Sequence, residues 1–498
     1  MSYYLGIDLG TTGLKAVIAD ARGSIQGIGY REYPLNVPAA NYAEQDPAQW
    51  YEAMCLAISD VLGKTGIHAA DIRCLGFSGQ MHGLVMLDAN HNVLHPAVIH
   101  CDGRAARQKQ EIIARTGIDR LGQWVQNQVH SGFQSLSLVW MRENRPDLYE
   151  KLRWALLPKD YLRFRLCGEI GTEPTDACST LMYDNINMRW SRELLQELNI
   201  DESILPDAKH HPYEIAGRIT AKAARETGLA EGTLVSFGGG DQPMQAVGNG
   251  LLAPGSSSLN LGTSGQVFVA TDKPVYDPKL RTHTFCHAPA DTWYVMGAVL
   301  NACLAFNWFN GKVLTSSDYV SMHAEAAQIA PGCGGLVFLP YLTGERTPHM
   351  NEHARGAFVG LTLGHGRADM ARAVLEAVAF SLRDCLEIVR ELKLPIERMI
   401  LSGGGARSAL WRQILTDVFE IPLYLANTGE QAAMGALLCA QVAAGEYASL
   451  AEACAEAVHC DPTPTEPNPA NFSVYRENFE IYREAYLRNS DLFMRMKG

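Results

Sequence analysis

Leu9-Gly10-Thr11-Thr12-Gly13, which follows the N-terminal run Tyr3-Tyr4-Leu5-Gly6-Ile7-Asp8, returns as Leu261-Gly262-Thr263-Ser264-Gly265. The copies lie 252 positions apart in a chain of 498 residues, close to half its length. Each follows a short apolar segment and precedes another, residues 14–18 after the first and 266–270 after the second. A Gly/Thr turn between two apolar runs reads as a β-hairpin, unlike the strand-to-helix turn of a P-loop. A looser echo sets Val235-Ser236-Phe237-Gly238-Gly239-Gly240-Asp241 beside Met399-Ile400-Leu401-Ser402-Gly403-Gly404-Gly405-Ala406. Spacing near half the chain predicts a duplicated, two-domain architecture.

Between these marks helices alternate with short strands. Residues 47–62 are amphipathic and end at Gly63, 72–77 form a β-rich run, and 133–142 and 159–166 are helical in pattern. Residues 371–392 and 432–445 are long, Ala-rich and helix-favouring. Such alternation predicts mixed α/β sheets covered by helices. Residues 462–469 (Pro-Thr-Pro-Thr-Glu-Pro-Asn-Pro) read as an extended linker, and 471–495 as a terminal helix packing back on the second half.

Composition narrows the partners. Lys and Arg number 42 against 54 Asp and Glu, a net charge of −12, which argues against nucleic acid or an anionic membrane as partner. Any phosphate site must then be local, built from backbone amides, glycine turns or a metal. Hydrophobic residues at 47% and charged ones at 19% are ordinary globular usage. The twelve cysteines are scattered singly without a C-x-x-C pair, the thiol usage of a reducing compartment, so a cytoplasmic protein is expected. Neither an export signal at the N-terminus nor a membrane span is expected, because no long apolar run occurs.

The turns carry the first chemical signal. A turn that aims several backbone amides and Thr or Ser hydroxyls at one point forms an anion nest. Asp8 lies two residues before Gly10, where a carboxylate beside phosphates would be repulsive without a cation, so Mg²⁺ is its natural partner. The run Gly238-Gly239-Gly240-Asp241-Gln242 permits close backbone approach and sets Asp241 at a strand end. It reads either as a tight turn with a capping Asp or as a general base that takes a proton from a substrate hydroxyl. Gly403-Gly404-Gly405-Ala406-Arg407-Ser408 precedes a helical stretch at 409–419, where glycine lets a base or ribose lie against backbone.

Three lookalikes fail. Gly63-Lys64-Thr65 resembles the end of a Walker A motif, but Ile58 stands where its first glycine must be. His283-x-x-Cys286-His287 has no second pair to complete a zinc site, and is read as a packed strand end. In Gly76-Phe77-Ser78-Gly79 the second glycine comes one residue too early for a nucleophile elbow.

Together these residues resemble the FGGY carbohydrate kinases over essentially the whole chain. The matching segments include Gly6–Gly13, Gly79-Gln80-Met81-His82-Gly83, Asp102-Gly103-Arg104, Leu157-Pro158-Lys159-Asp160-Tyr161-Leu162-Arg163 and Gly238–Asp241. Leu339-Pro340-Tyr341-Leu342-Thr343-Gly344-Glu345-Arg346-Thr347-Pro348, Gly356–Leu361 through Glu376, and Gly403–Ser408 also match. The resemblance implies two actin-like ATPase (ribonuclease H-like) α/β domains, each a five-stranded mixed sheet, with the active site in the cleft between them. It divides the chain into a sugar-binding half at 1–247 and a nucleotide-binding half at 248–498.

By that resemblance Asp241 is the base, while Asp8 positions Mg²⁺ and the phosphates. Met81, His82, Asp102 and Gln242 contact the sugar. Gly10, Thr11, Thr12, Gly262, Thr263 and Gly265 hold phosphate, and Gly404, Gly405, Ala406 and Ser408 bind the adenine nucleotide. The implied reaction is ATP-dependent phosphorylation of a ketopentose, D-xylulose to D-xylulose 5-phosphate; a homodimer is expected only as the commonest assembly of such chains. Departures bear on the sugar: the family's usual Trp-Asn-Asp-Gly-Arg stands here as His100-Cys101-Asp102-Gly103-Arg104. Gln242 replaces the Asn usual after the base in xylulose-phosphorylating members, and Ser137 stands three residues before Trp140 where the family has a Lys just before a Trp. The alternatives are a kinase for another ketose or polyol and, from a different class, an actin-like ATPase chaperone or filament module.

Overall fold

The computed structural model describes residues 2–496 apart from 317, 427 and 428. The first sheet comprises β1 (Tyr3–Leu9), β2 (Gly13–Asp20), β3 (Ile25–Glu32), β4 (Ile72–Gly79), β5 (Ile215–Arg218), β6 (Leu234–Ser236) and β7 (Gly239–Gly240). The second comprises β8 (Ser257–Leu261), β9 (Gly265–Thr271), β10 (His283–Cys286), β11 (Trp293–Val299), β12 (Met399–Ser402) and β13 (Leu423–Leu425). The two Gly/Thr turns are hairpins: Leu9 pairs with Leu14 in one, and Leu261 with Gly265 in the other.

Within the strand orders β5-β6-β4-β1-β2-β3 and β10-β11-β9-β8-β12-β13, one five-stranded pattern occurs twice. In each sheet a hairpin gains one antiparallel strand on one side (β3 or β11) and two parallel strands on the other (β4 and β6, or β12 and β13). The fold is therefore duplicated as the turn spacing predicts. Two differences from the five-stranded expectation are edge strands, β5 beside β6 and β10 beside β11, plus the short β7 on β4. The looser glycine echo is not a topological one: Val235 lies on β6, whereas Met399 lies on β12, the counterpart of β4.

The helices that position the site are α1 (Pro47–Thr65), α2 (Gln134–Asn144), α3 (Pro158–Cys167), α4 (Pro174–Ala177), α5 (Asp241–Gly248), α6 (Cys303–Trp308), α7 (Arg367–Glu391), α8 (Ala409–Phe419), α9 (Gln431–Ala443) and α10 (Phe472–Arg495). Helix α1 runs past Gly63 and stops at Gly66, whose φ of 67° supplies the left-handed C-cap; Gly63 stays helical. The proline-rich stretch is no free spacer. Thr465 exchanges backbone hydrogen bonds with Leu423 on β13, and the Asn468 amide donates to Asp417 Oδ1 at 2.7 Å. Helix α10 buries Tyr475, Phe479 and Tyr482 against α7 in the second half's core.

Helix α9, from the second half, lies directly on the first sheet. A Cβ on Gly6 of β1 or Gly76 of β4 would overlap the carbonyl oxygens of Ala433 and Ala436. The same holds between α5 and α9, where Gly435 meets the Met244 carbonyl and Gly248 that of Gln431. Around these contacts Tyr4, Cys74, Met244 and Val247 pack with Met434, Leu437 and Leu438 in one core. Each fully buried aliphatic side chain there contributes about 1.5–3 kcal/mol. Small residues in α9 thus trade side-chain bulk for backbone approach.

Candidate active site

Register places the key residues at one end of the first sheet. On parallel neighbours Asp8 aligns with Ser78 and Leu9 with Gly79, while Gly239 and Gly240 of β7 align with Ser78 and Gly79. The Gly10–Gly13 turn, Gln80-Met81-His82 and Asp241 therefore leave the sheet side by side. Asp241 opens α5, and Asp8 accepts a hydrogen bond of 2.8 Å from Ser78 Oγ. Burial lifts Asp8 above the ordinary carboxylate range, against the pull of Ser78 and Lys15. Burial and then the charge of Asp8 push Asp241 up to about 7, against its Gln242 hydrogen bonds. The two carboxylates share one cleft.

The first turn is held from behind. Tyr33 Oη donates to the Gly10 carbonyl, Gln45 Nε2 to the Thr11 carbonyl at 2.7 Å, and the Gln80 amide to the Leu9 carbonyl at 2.8 Å. The Gly10 amide closes the turn on the Gly13 carbonyl at 3.0 Å, which leaves the Thr11 and Thr12 amides and hydroxyls uncommitted among the described residues. The second turn is held differently: the Cys303 amide at the start of α6 donates to the Gly262 carbonyl at 3.0 Å, and the Ala302 amide to that of Thr263 at 3.1 Å. Gly265 closes that hairpin against Leu382.

The glycine loop after β12 sits beside the second turn because Ser402 pairs with Asn260. Gly403 has φ of 90°, and a Cβ there would come 2.6 Å from the Leu261 backbone. A Cβ on Gly405 would strike the Leu261 side chain, whereas one on Gly404 meets nothing within 4 Å. Ser408 caps α8 by accepting from the Trp411 amide at 3.2 Å. A hollow of about 540 Å³ flanks the loop at Asn260, Gly404, Ala406 and Arg407, and another of about 760 Å³ at Phe306, His323, Ser408 and Trp411.

On the sugar side Met81 packs on Gly240, whose Cβ would lie 2.8 Å from Met81 Cγ. His82 takes a left-handed φ of 75°; its amide donates to Ser179 Oγ at 3.1 Å and its Nδ1 lies 2.7 Å from the Ser179 carbonyl. Burial, and then His100, His283 and Arg346, push His82 down to about 3, so the ring is neutral at pH 7. With Nδ1–H donating to a carbonyl, Nε2 is left as an acceptor. Gln242 is half-buried one residue after Asp241. Asp102 does not face the cleft. Its oxygens take the Ala43 amide at 2.6 Å, the Arg104 amide at 2.9 Å and Arg104 Nη2 at 2.7 Å, and Arg104 stacks on Tyr42 and near Trp140. The loop it fixes turns His100 and Cys101 toward the cleft instead.

Residues 3–248 match the N-terminal domain of the FGGY family of carbohydrate kinases, and residues 258–444 match its C-terminal domain. The chain belongs to the FGGY carbohydrate kinases. It is 33% identical over 498 residues to the xylulose kinase of Bacillus subtilis (strain 168), covering 100% of this chain and 99% of the relative. The crystal structure of ligand-bound xylulose kinase from Lactobacillus acidophilus superposes with a TM-score of 0.95 at 26% identity, over 100% of both chains. Gluconate kinase from the same organism gives 0.94 at 26% identity, also over 100% of both.

This FGGY kinase also carries a buried charged assembly behind the site, to which the motif reading of Leu157–Arg163 assigned no task. Lys159 Nζ lies 2.8 Å from Asp160, 3.3 Å from Glu173 and 3.5 Å from Asp176, all fully buried. Burial alone would lower Lys159, but these three acids raise it above the ordinary lysine value. Asp176 accepts from Ser179 Oγ at 3.2 Å, and Thr175 Oγ1 accepts the Gly240 amide at 3.2 Å. One short helix, α4, thereby supports both His82 and the strand that delivers Asp241. The sequence carries no local sign of this assembly, because Glu173 and Asp176 stand in a polar Thr/Ser-rich stretch and only burial beside Lys159 makes them partners.

Proposed function

We propose that this carbohydrate kinase transfers the γ-phosphoryl group of ATP to the terminal hydroxyl of D-xylulose, giving D-xylulose 5-phosphate and ADP. The observation that carries the proposal is Asp241, raised to about 7 beside Asp8 where the first turn and the sugar-side residues converge. A base is most effective when its pKa lies near the working pH. The Asp241 carboxylate takes the proton of the sugar hydroxyl as its oxygen bonds to the γ-phosphorus and the bond to the β-bridging oxygen breaks. His82 Nε2 accepts from a sugar hydroxyl, Met81 and Gln242 line the acceptor, and Asp102 supports the loop bearing His100 and Cys101. Gly10, Thr11 and Thr12 in one turn and Gly262, Thr263 and Gly265 in the other flank the phosphates. Gly404, Gly405, Ala406 and Ser408 form the nucleotide wall, where the bare space at Gly404 leaves room for a ligand.

The donor set fits Mg²⁺. No group of three or more His, Cys, Asp or Glu side chains able to hold a metal occurs among the described residues, so protein ligation falls to Asp8, with phosphate oxygens and water completing the shell. Two neighbouring carboxylates raised by burial, Asp241 also by the charge of Asp8, are what a hard cation relieves. When bound, Mg²⁺ neutralises charge on the transferring group. The proposal includes a boundary near 247/248, a homodimeric assembly and a cytoplasmic location. Twelve free cysteines support that location, and no helix among the described residues is long and apolar enough to cross a membrane.

The test is a coupled ADP-release assay over ketopentoses, pentitols, ketohexoses and gluconate. D-xylulose should give the highest kcat/KM. Faster turnover of any other acceptor would reassign the sugar, and ATP hydrolysis indifferent to every sugar would favour the chaperone or filament reading.

A further inference from the structure

A cavity of about 520 Å³ opens on the first half alone, lined by residues between 183 and 209, none of which lines the cleft that bears His100 and Cys101. Its size is that of a small-molecule pocket, about 300–1,000 Å³. Its walls are fixed. Tyr183–Asp184 pairs antiparallel with Arg189–Trp190, and Met188 turns the chain into that pair at a left-handed φ of 47°. Trp190 Nε1 donates to the Pro206 carbonyl at 3.0 Å, and its ring meets Tyr183 edge-on at 5.4 Å. Further along, the Asp207 carbonyl takes the Thr172 amide at 2.8 Å, and Arg153 Nη1 donates to the Ser203 carbonyl at 2.7 Å. These bonds hold Trp190, Leu205, Pro206 and Ala208 as an apolar floor.

Three cations border that floor, Arg189, Arg192 and Lys209, in a chain of net charge −12. None is firmly paired. Lys209 is exposed and makes no hydrogen bond or ion pair among the described residues. Arg192 comes only to 3.9 Å from Glu202, with its side chain 75% exposed. Arg189 Nη2 stands 3.5 Å from both Asp184 and Glu193. Exposed pairs this long hold their partners weakly, so an incoming anion displaces them. The acids on the lining are Glu202 and Asp207, so three cations face two carboxylates. Phosphate or a sugar phosphate would use the cations and leave the floor bare, and an apolar molecule would do the reverse. A flat base joined to a phosphate uses both, with the guanidinium fork suited to two phosphate oxygens and the lysine to the remaining charge. We infer that this cavity binds a nucleoside 5′-monophosphate, with its phosphate on Arg192 and Lys209 and its base along Trp190 and Leu205. The inference does not rest on the phosphorylation reading.

The test is calorimetric titration of the full-length enzyme by AMP, adenosine, D-ribose 5-phosphate and inorganic phosphate. AMP should bind more tightly than the other three. Because the kinase cleft also admits an adenine nucleotide, sites are counted: wild type should take up one more AMP per chain than the double variant Arg192→Gln/Lys209→Gln. Each change made singly should weaken that extra site by about tenfold or more, the scale of one charge-assisted hydrogen bond. Both side chains are exposed, so the variants should melt as wild type and keep its kcat and its KM for ATP and acceptor. Equal AMP uptake and affinity in the double variant, D-ribose 5-phosphate or phosphate bound as tightly as AMP, or no AMP binding by wild type would each overturn the site. A raised KM for ATP in the double variant would overturn it too, by placing the lost AMP in the kinase cleft.

Discussion

Asp241→Asn isolates what the active site costs the fold. In the native state Asp241 titrates at about 7, against an ordinary 3.8. A gap of about three pH units is worth roughly 4 kcal/mol, and screening at a half-buried site reduces that to about 2 kcal/mol. The native carboxyl holds its proton more tightly than the unfolded one. Wild-type stability therefore declines as pH rises from about 4 to about 7, and the full penalty remains above 7. Asn, neutral throughout, escapes it. Differential scanning fluorimetry in EDTA without nucleotide should show equal melting temperatures at pH 4, with the variant higher by about 4–8 °C at pH 8. Its turnover should fall ~10²–10⁴-fold, the scale of losing a general base. A variant no more stable than wild type at pH 8, or one with near-normal turnover, refutes the electrostatic reasoning.

Asp8→Asn removes the charge that helps raise Asp241, so the acid limb of the kcat/KM profile should move to lower pH while turnover drops; an unmoved limb means the two carboxylates do not interact. Gly404→Val adds bulk only to open space, so the fold should melt as wild type while the KM for ATP rises about tenfold or more, the effect of crowding a tight ligand contact. A normal KM there would remove the glycine loop from the nucleotide site. Gly435→Val wedges α9 away from Met244 and should cost ~3 kcal/mol or more of stability, measured by urea denaturation. Wild-type unfolding of that variant would mean the helices do not approach as described.

Much of this site was legible because its parts are local. The two Gly/Thr turns announce hairpins by composition, and their spacing exposed the duplication that strand order repeats. Asp8, Met81, His82 and Asp241 were found as motif residues, and parallel register then brings them to one sheet end. What stayed hidden was pairing at a distance. Asp102 reads as a sugar contact from its motif, yet Arg104 and the Ala43 amide claim its oxygens. Thr175, Asp176 and Ser179 carry no local signature, since their importance comes from meeting Gly240, Lys159 and His82 across 65, 17 and 97 positions of chain. Likewise the helical pattern of 432–445 says nothing about whose sheet it covers.

That placement of α9 has a consequence for synthesis. The strands bearing Gly6 and Gly76 emerge from the ribosome more than 350 residues before Ala433 and Ala436, so the greasy face they share waits uncovered for most of translation. The leading portion made alone should aggregate, and a nascent chain should lean on holdase chaperones until its last hundred residues arrive.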